Sequence, residues 1–444
     1  MAVYHPDAYR TDRKAPSYWE ATAVVPPAPR LAADQAADVV VIGGGYTGLS
    51  AALHLARDHH VSAVVLEAGP IGWGASGRNG GFVSLSSAKL SAEAMIARHG
   101  EAETRRFYAA EMEGIDLVRA LLAEGIDADP QGDATYEVAH RASVAPALRA
   151  SVDFHVRKLG LPAFFMDRHA FTKMGHGGTE QFGAAGLRGA FGIHPLKYLA
   201  GLRALVARHG AKVHADSPVI AWTRDSGGYI LTTPGATIRT RTVVVATNGY
   251  TPDTIHRAFA NRTLPAISSI IVTRPLTEAE LAAVGWRTAC PVSNTRNLLF
   301  YYRLLPDGRF LFGGRGGTSG SPAEQARVTA WLTRRLGEVF PPWKDVEIDH
   351  AWNGLVCLTG RLTPALGRLD DEPGVHYAFG WHGNGVAAAT WAGRRIARAI
   401  VEEKGRPIDL PAPLRGLPPH LGHPLIRRVG LKAVYAWYGL REPQ

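Results

Sequence analysis

Three glycines and one acid have the residue types and the spacing of a dinucleotide site. Gly43, Gly45 and Gly48 follow the β-branched run 39–42 in a G-x-G-x-x-G pattern. The first glycine permits a tight turn, the second lets a pyrophosphate approach the backbone, and the third lets the next helix pack on the strand. Glu67 ends the next apolar strand, where a carboxylate accepts hydrogen bonds from a ribose diol and repels the 2′-phosphate of NADP. The pattern predicts a bound dinucleotide other than NADP.

A second glycine-rich segment, residues 72–81, follows Glu67 closely. Small residues at this density let backbone N–H groups line a flat or anionic ligand. Arg78 has the charge to neutralise a phosphate, and Asn79 offers both a hydrogen-bond donor and an acceptor. A plain glycine loop is the alternative. The position directly after the dinucleotide unit favours the far wall of the same site.

Two later segments repeat the order of buried strand, small residues and glycine. The apolar strand 243–246 is followed by the polar turn 247–250. A further strand and glycine turn, 377–386, precede a helix that we predict over 387–403. Strand ends of this kind face ligands in parallel sheets. The N-terminus of the last helix suits an electron-rich oxygen of a ring system.

Length and composition are those of a globular protein. With 444 residues, the chain exceeds the size at which one core keeps growing, so we expect two domains. Its two cysteines, Cys290 and Cys357, are too few for a disulfide framework. The N-terminus has no apolar signal segment, and no apolar run reaches the length of a membrane span. We therefore expect a cytoplasmic protein.

The formal net charge of +10 predicts attraction to anions. The lysines and arginines are scattered, and no basic run is interleaved with aromatic residues as a nucleic-acid site requires. We therefore expect no nucleic-acid partner. A solvated basic surface is the simpler explanation of the charge, and a field that draws in an anionic substrate is the alternative.

The rest of the chain predicts a second domain. Helical spacing covers residues 92–125 and 146–159. Alternating apolar runs at 267–273 and 298–314 predict antiparallel strands that cover the cofactor from the other side. The Pro-rich and aromatic residues 1–37 predict an extended arm on the surface.

The C-terminal tail carries a short basic amphipathic segment, residues 425–438, with Trp437 and Tyr438 near its end. Such a segment can touch a membrane surface. We favour a helix packed on its own domain, because the segment is short and interrupted by glycine.

Together these motifs resemble the FAD-dependent D-amino-acid oxidase/glycine oxidase superfamily. The resemblance rests on GGGYTGLS, VVLEAGPIGWGASGRNGG, ATNGY and FGWHGNGVAAATWAGRRIA, and it spans nearly the whole chain. SYWEAT near the N-terminus, the GASGRNGG form and the aromatic, Pro-rich tail are most similar to the γ-glutamylputrescine oxidase branch. The match is strong at the cofactor motifs and weak over residues 92–185 and 263–350.

The resemblance implies an α/β fold in two domains: a discontinuous Rossmann-type FAD-binding domain, and a substrate or cap domain of antiparallel sheet plus helices. We expect the FAD-binding domain to comprise residues 1–90, 186–262 and 352–404, the cap domain 91–185 and 263–351, and the tail 405–444.

It also implies noncovalent FAD and a set of contacts to it. The predicted cofactor residues lie in the motifs above, with Val219 on the adenine side and Arg361 facing either the flavin or a substrate carboxylate. They are Gly43, Gly45, Tyr46, Thr47, Gly48, Glu67, Ala68, Gly74, Ala75, Ser76, Arg78, Asn79, Gly80, Gly81, Val219, Ala246, Thr247, Gly249, Arg361, Gly383, Asn384, Gly385 and Val386.

The family reaction removes a hydride from the carbon next to an amine and yields an imine that hydrolyses, after which O₂ reoxidises the flavin to give hydrogen peroxide. The flavin carries this chemistry and the protein mainly orients the substrate, in agreement with the lack of a Ser/His/Asp or metal-binding pattern. We expect a small-molecule amine or amino acid as substrate and O₂ as acceptor. The alternative is an FAD-dependent dehydrogenase that passes electrons to a quinone or protein.

Two residues depart from the family pattern. Several relatives place a lysine near the flavin to assist oxygen, whereas the nearest basic residue in the comparable strand here is Arg315. Arg315 is our first catalytic candidate, with a surface arginine at a strand end as the alternative. Some relatives attach FAD through a cysteine near the position of Cys357. The local match is out of register, so we expect a small buried residue there.

The substrate contacts are less specified by sequence. His382, beside the last glycine turn, is a candidate catalytic and substrate-binding residue, and a packed or helix-capping histidine is the alternative. Tyr301, Tyr302 and Trp352 are candidates for an aromatic cage around an alkylammonium group, with core packing as the alternative for each.

Overall fold

The computed structural model describes residues 3–85, 87–404 and 406–441. Within those ranges the chain forms two eight-stranded sheets, a two-stranded ribbon and eleven α-helices, numbered below in chain order. The α/β fold predicted from the sequence is confirmed.

The first sheet carries the dinucleotide motif on its central strand. Its order is β17-β18-β11-β1-β2-β8, parallel except for β17, with the antiparallel pair β9 and β10 attached to β11. The strands are β1 (Gln35–Ile42), β2 (Ala63–Leu66), β8 (Lys212–His214), β9 (Ala221–Asp225), β10 (Gly228–Thr232), β11 (Thr237–Val245), β17 (Ala365–Arg368) and β18 (Val375–Phe379).

The second sheet is antiparallel apart from one parallel pair, β13 with β4, and its order is β16-β12-β15-β14-β13-β4-β6-β5. Its strands are β4 (Ala134–Val138), β5 (Ala163–Met166), β6 (Ala184–Arg188), β12 (Leu264–Pro275), β13 (Val292–Asn294), β14 (Phe300–Leu304), β15 (Arg309–Arg315) and β16 (Ile348–Leu358). The ribbon pairs β3 (Phe82–Val83) with β7 (Phe191–Gly192).

The helices pack mainly on the outer faces of the sheets. They are α1 (Tyr18–Thr22), α2 (Tyr46–His59), α3 (Ala92–His99), α4 (Glu101–Ala123), α5 (Ala145–Phe154), α6 (Arg168–Lys173), α7 (Pro195–Arg208), α8 (Glu278–Val284), α9 (Pro322–Val339), α10 (Val386–Glu402) and α11 (Pro424–Arg441).

The apolar run of β1 is buried on both of its faces, as a central parallel strand requires. Val39 and Val41 join the large core that includes the buried side chains of α2, α4, α7 and α10. Val40 and Ile42 join a separate core on the opposite face, under β10 and the segment around Phe259. The alternation follows from the two-residue period of a strand, and it leaves the carboxyl end of β1 as the place where a ligand can reach the sheet.

Several predicted boundaries differ from the structure. Residues 92–125 form two helices, because Gly100 lies between them at a φ of +83°. The second, α4, packs against α10 of the first sheet, so the segment 91–185 does not belong wholly to the second sheet. Strands β6 and β16 cross the expected domain boundaries, and the N-terminal arm contains the short helix α1. None of the helices in the described ranges is long and apolar enough to span a membrane.

Candidate functional site

A large cavity of about 990 Å³ lies between the two sheets. Its floor is formed where β1, β2 and β11 end, at Gly43, Glu67 and Ala246, and its opposite wall includes Ile270 of β12 and Tyr301 of β14. Carboxyl ends of parallel strands are the usual ligand position in an open α/β sheet. The volume is at the upper end of what ligand cavities have, enough for a long cofactor with a substrate beside it.

Two glycines of the first motif are required by close backbone contacts. Gly43 has a φ of +107°, and a Cβ there would lie 2.8 Å from the carbonyl oxygen of Ala246. A Cβ on Gly48 would lie 1.9 Å from the carbonyl oxygen of Gly43, because α2 crosses the end of β1 at that point. Gly48 therefore serves the packing of helix on strand, and it does not line the cavity.

Glu67 reaches the glycine turn from the end of β2. Its Oε2 accepts a hydrogen bond from the Gly44 N–H at 2.7 Å, and its Oε1 accepts one from the Gly69 N–H at 3.3 Å. Burial raises the pKa of this carboxyl, although the backbone donors oppose the shift. The carboxylate lines the cavity and keeps lone pairs free for the hydroxyls of a ribose.

The second glycine-rich segment folds over the N-terminus of α2. The Ser76 Oγ accepts a hydrogen bond from the Tyr46 N–H at 3.1 Å. The guanidinium of Arg78 donates to the carbonyls of Trp73 at 2.5 Å and Asn353 at 3.3 Å, so its donors shape the loop although the residue lines the cavity. Asn79 likewise holds the loop, accepting from the Gly81 N–H at 2.8 Å.

Helix α10 points its N-terminus at the cavity. Its N-cap is Gly385, which supplies no side-chain hydrogen bond, so the first N–H groups of the helix are not capped by that residue. Gly383, Asn384 and Val386 line the cavity beside it. Uncapped N–H groups and the positive end of the helix dipole favour an electron-rich oxygen at this position.

His382 lines the same wall, but both of its ring nitrogens are engaged. Its Nδ1 lies 2.9 Å from the Ser87 carbonyl, to which it donates, and its Nε2 accepts from the Thr359 N–H at 3.2 Å. Burial lowers the pKa of the ring to about 4, so it is neutral near pH 7. Its φ of +49° is unusual for a residue with a side chain. The ring holds the glycine turn in place, which is a positioning role.

Three charged side chains enter the cavity from three distant segments. Arg315 ends β15, Glu137 lies on β4, and Lys89 lies in the loop after β3. None of them has an ion pair or a side-chain hydrogen bond to another described residue, and the Nη1 of Arg315 is buried without a partner. Charged groups that the surrounding protein partly removes from water are normally paired. Three unpaired charges around one cavity therefore indicate a charged ligand.

The environment of these groups shifts their pKa values. Burial, helped by the charge of Arg315 and opposed by Glu137, lowers the pKa of Lys89 to about 8. Burial raises the pKa of Glu137, and Lys89 and His155 oppose that shift. Both side chains are exposed to the cavity that they line, yet the protein around them removes enough water to disfavour the charged forms.

Lys89 and Glu137 were missed by the sequence analysis. Lys89 follows the second glycine-rich segment in an irregular loop, and nothing in its neighbours marks it. Glu137 carries a weak signal. It is the one charged residue in the strand Ala134–Val138, two positions from Thr135, which also lines the cavity. A two-residue period places both side chains on one face of β4.

The aromatic candidates do not all lie on the face of the second sheet that meets the cavity. Tyr301 lines the cavity, and its hydroxyl lies 2.9 Å from the Ser268 Oγ. Tyr302, the next residue of β14, points to the other side, where its hydroxyl accepts from Gln181 at 2.9 Å. The Trp352 Nε1 donates to the Arg78 carbonyl at 2.8 Å, outside the cavity wall. Tyr302 and Trp352 are therefore core residues, and the predicted aromatic cage that includes them is wrong.

Arg361 also lies away from the cavity. Its guanidinium donates to the carbonyls of Leu414 at 2.8 Å and Arg415 at 2.6 Å, so it ties the chain after α10 to the first sheet. We do not retain Arg361 as a flavin or substrate contact. Gly81 does not line the cavity either. A Cβ there would lie 2.0 Å from the carbonyl oxygen of Ile193.

The structure brings the other predicted residues together around the cavity. They are Gly43, Gly45, Tyr46, Thr47, Glu67, Ala68, Gly74, Ala75, Ser76, Arg78, Asn79, Gly80, Val219, Ala246, Thr247, Gly249, Tyr301, Arg315, His382, Gly383, Asn384, Gly385 and Val386.

Cys357 lines the cavity as well. Burial raises the pKa of its thiol to about 12, so the nucleophilic thiolate is scarce at neutral pH. The side chain is otherwise packed within β16.

A family model described as FAD dependent oxidoreductase matches residues 38–399. The chain belongs to this family. The match includes every strand of the first sheet except the first three residues of β1, and it includes the cradle of glycines and helix N-termini described above. That cradle fits FAD, and FAD is the cofactor of this oxidoreductase. The resemblance drawn from the motifs is confirmed.

Curated relatives extend the similarity beyond the cofactor motifs. The probable oxidoreductase OrdL of Haemophilus influenzae is 31% identical over 383 residues, which is 85% of this chain and 86% of that protein. The gamma-glutamylputrescine oxidoreductase of Escherichia coli is 31% identical over 365 residues, 82% of this chain and 83% of that protein. Among solved structures, glycine oxidase from Geobacillus kaustophilus superimposes with a TM-score of 0.71 at 22% identity, over 87% of this chain and 100% of that one.

Proposed function

We propose that this flavoenzyme oxidises the C–N bond of a small molecule that carries both an ammonium and a carboxylate group. The observation that supports the proposal is the set of three unpaired charges in the cavity, one acidic and two basic. A substrate with a single charge would leave the cavity charge of the other sign without a partner. An amino acid, or an amine joined to an amino acid, matches both signs.

The charge of each residue determines which group of the substrate it attracts. Glu137 attracts the ammonium group of the substrate, while Lys89 and Arg315 attract its carboxylate. The Nη2 of Arg315 lies 3.5 Å from the position that a Cβ would take on Gly383, so this cation lies on the side of the cavity where α10 begins. The substrate therefore spans from the start of α10 toward β4.

Bound FAD supplies the two-electron acceptor for this chemistry. The substrate loses two electrons and a proton from the carbon next to nitrogen, together with a proton from nitrogen, and water hydrolyses the resulting imine. We infer that O₂ is the final acceptor and leaves as hydrogen peroxide. The protein contributes orientation, through the charges named above, and exclusion of water from the cavity.

The relatives support an amine-containing substrate. One of them is named for gamma-glutamylputrescine, a compound that joins an amine to an amino acid. The solved structures with the same fold include a glycine oxidase and an L-amino acid deaminase. Oxidation next to nitrogen is therefore the class of reaction that we assign to this chain.

The test is anaerobic bleaching of the flavin in the purified holoenzyme. The panel contains simple amines, diamines, amino acids and γ-glutamyl amines, and the measured quantities are the reduction rate and its dependence on substrate concentration. We expect rapid bleaching by compounds that carry both charges. Bleaching by hydroxy acids in place of amines would overturn the assignment of the C–N bond.

The acceptor is tested separately by mixing the reduced enzyme with air-saturated buffer or with a soluble quinone. We expect fast reoxidation by air and one hydrogen peroxide per turnover. A reduced flavin that ignores oxygen but reduces the quinone would replace the oxidase by the dehydrogenase.

A further inference from the structure

Helix α11 exposes an apolar stripe to the outside of the protein. Leu425, Ile426, Val429, Trp437 and Leu440 are between 53% and 82% exposed. With 3.6 residues per turn, their positions fall on one side of the helix, together with Ala433 and Ala436. Exposed apolar side chains are common when scattered, but a contiguous row along an entire helix marks an interaction surface.

The opposite side of α11 fixes the direction of this stripe. The buried Arg427 donates to the Thr263 carbonyl at 2.7 Å and pairs with Asp253. Leu431 packs in a cluster with residues of β12 and β16, and Tyr435 joins its edge. Because this side is tied to the body of the protein, the apolar stripe must face away from it.

Cations border the stripe along its length. Arg428 and Lys432 lie along one edge, and Arg441 lies at the other, with its guanidinium 4.0 Å from the centre of the Trp437 ring. The sequence of α11 contains no acidic residue. A row of apolar side chains with basic residues on both edges and an aromatic ring near one end is the pattern of a helix that lies in a lipid–water interface.

We propose that α11 seats the protein on the surface of an anionic membrane, with the apolar stripe entering the boundary between headgroups and acyl chains. The basic residues of α11 favour a membrane over a second copy of the chain as the partner of this surface. A two-fold contact through the stripe would bring the basic edges of two α11 helices near one another, with no acid in either helix to balance them. Lipid phosphates are complementary to those edges.

Helix α11 lies between this apolar surface and the cavity. Arg427, on the inner side of the helix, also lines the cavity. A membrane bound by the outer side of α11 would then lie about one helix diameter, roughly 10 Å, from the cavity wall. Surface attachment of this kind requires no membrane-spanning segment.

The first test is sedimentation of the holoenzyme with vesicles of phosphatidylcholine alone or mixed with phosphatidylglycerol. We expect binding to the mixed vesicles, weaker binding to the neutral ones, and loss of binding at high salt. The apolar variant Leu425→Ser/Val429→Ser/Leu440→Ser should lower the partition coefficient at least about tenfold, because burial of these side chains supplies the apolar part of the affinity. Its matched control is Ile220→Ser, an exposed apolar residue elsewhere.

A charge variant, Arg428→Gln/Lys432→Gln/Arg441→Gln, should lower binding to the mixed vesicles by about tenfold or more and leave binding to neutral vesicles unchanged. Arg257→Gln, at an exposed site outside α11, is its control. All of these side chains lie away from the cavity wall, so anaerobic flavin reduction should be the same in every variant. That readout separates a failure of the docking surface from a failure of the proposed reaction.

Two results would overturn the proposal. One is a wild-type protein that fails to bind mixed vesicles at low salt. The other is a wild-type dimer in size-exclusion chromatography with light scattering that the apolar variant converts to a monomer, since the stripe would then be a contact between two copies.

Discussion

The two ends of the cavity are built in different ways. The cofactor end is made of backbone: glycines, helix N-termini and one acid, all supplied by short contiguous motifs around β1, β2 and α10. The end where we propose that the substrate binds is made of side chains, and its three charges come from a loop, from β4 and from β15, which are far apart in the chain. A pyrophosphate and a ring system are common to the whole family and can be held by geometry alone. Selection of a particular substrate depends on the positions of individual charged side chains.

The largest effect should come from the backbone end. Gly48→Val would force a side chain into the carbonyl of Gly43, which is backbone and cannot move aside. We expect destabilisation of roughly 3 kcal/mol or more and loss of bound flavin, measured by thermal unfolding and by absorbance of the purified protein. Gly430→Ala is the control, because a Cβ there meets nothing within 4 Å. A stable Gly48→Val protein that keeps its flavin would contradict the close packing of α2 on β1.

Glu67→Ala tests the acidic group of that end. Loss of hydrogen bonds to the ribose should weaken FAD binding by roughly 1.5–3 kcal/mol. Flavin released on dilution of the holoenzyme, followed by fluorescence, gives the dissociation constant. Glu67→Gln keeps an acceptor for the Gly44 N–H and should lose less. Unchanged affinity in Glu67→Ala would mean that this carboxylate is not the ribose ligand.

Glu137→Gln should affect the opposite end alone. Loss of the negative charge should weaken binding of an ammonium-bearing substrate by about tenfold, or roughly 1.4 kcal/mol, while FAD affinity stays the same. The substrate concentration for half-maximal anaerobic reduction reports this change. Glu278→Gln, at an exposed site on α8, is the matched control. If Glu137→Gln releases flavin, the division of the cavity into two ends is wrong.

Lys89 and Glu137 together predict a pH window for substrate binding. The raised pKa of Glu137 means that its charge is lost, as pH falls, earlier than in an ordinary glutamate. The lowered pKa of Lys89 means that its charge is lost as pH rises through about 8. Binding of a substrate with both charges should therefore fall on either side, and Lys89→Arg should remove the alkaline decline. An alkaline limb that persists in Lys89→Arg would assign it to another group, such as the substrate amine.

Substitutions of Arg315 and Lys89 distinguish the roles of these two cations in the two half-reactions. Arg315→Met should slow reoxidation of the flavin by air several-fold if this permanent cation stabilises charge on oxygen, and Lys89→Met serves as the comparison. Stopped-flow absorbance measures reduction and reoxidation independently. Slower reduction with unchanged reoxidation would limit Arg315 to binding of the substrate carboxylate, and no change in either half-reaction would place it outside the chemistry.

The smallest effect is expected at Cys357. Since burial suppresses its thiolate, we expect FAD to be released by acid from the wild type, and Cys357→Ser to retain its flavin. Flavin that stays on the acid-denatured chain would identify Cys357 as a covalent attachment point.

The cofactor end could be predicted from the sequence because it depends on local spacing. Gly43, Gly45 and Gly48 lie within a few residues of one another, and the strand before them is specified by its own β-branched run. The same reasoning failed for Tyr302 and Trp352. Adjacent residues of a strand point to opposite faces, and only the position of β14 and of β16 in the second sheet decides which face meets the cavity.

The sequence by itself determined the dinucleotide unit, the α/β class and the amphipathic character of α11, since each follows from residue types at short, regular intervals. Only the tertiary structure decided that Arg361 ties down the tail, that His382 has no free ring nitrogen, and that the apolar side of α11 faces outward. It also decided that Lys89, Glu137 and Arg315 share one cavity. Their proximity depends on how the two sheets face each other. No periodicity along the chain predicts the distance in space between residues that are so far apart in sequence.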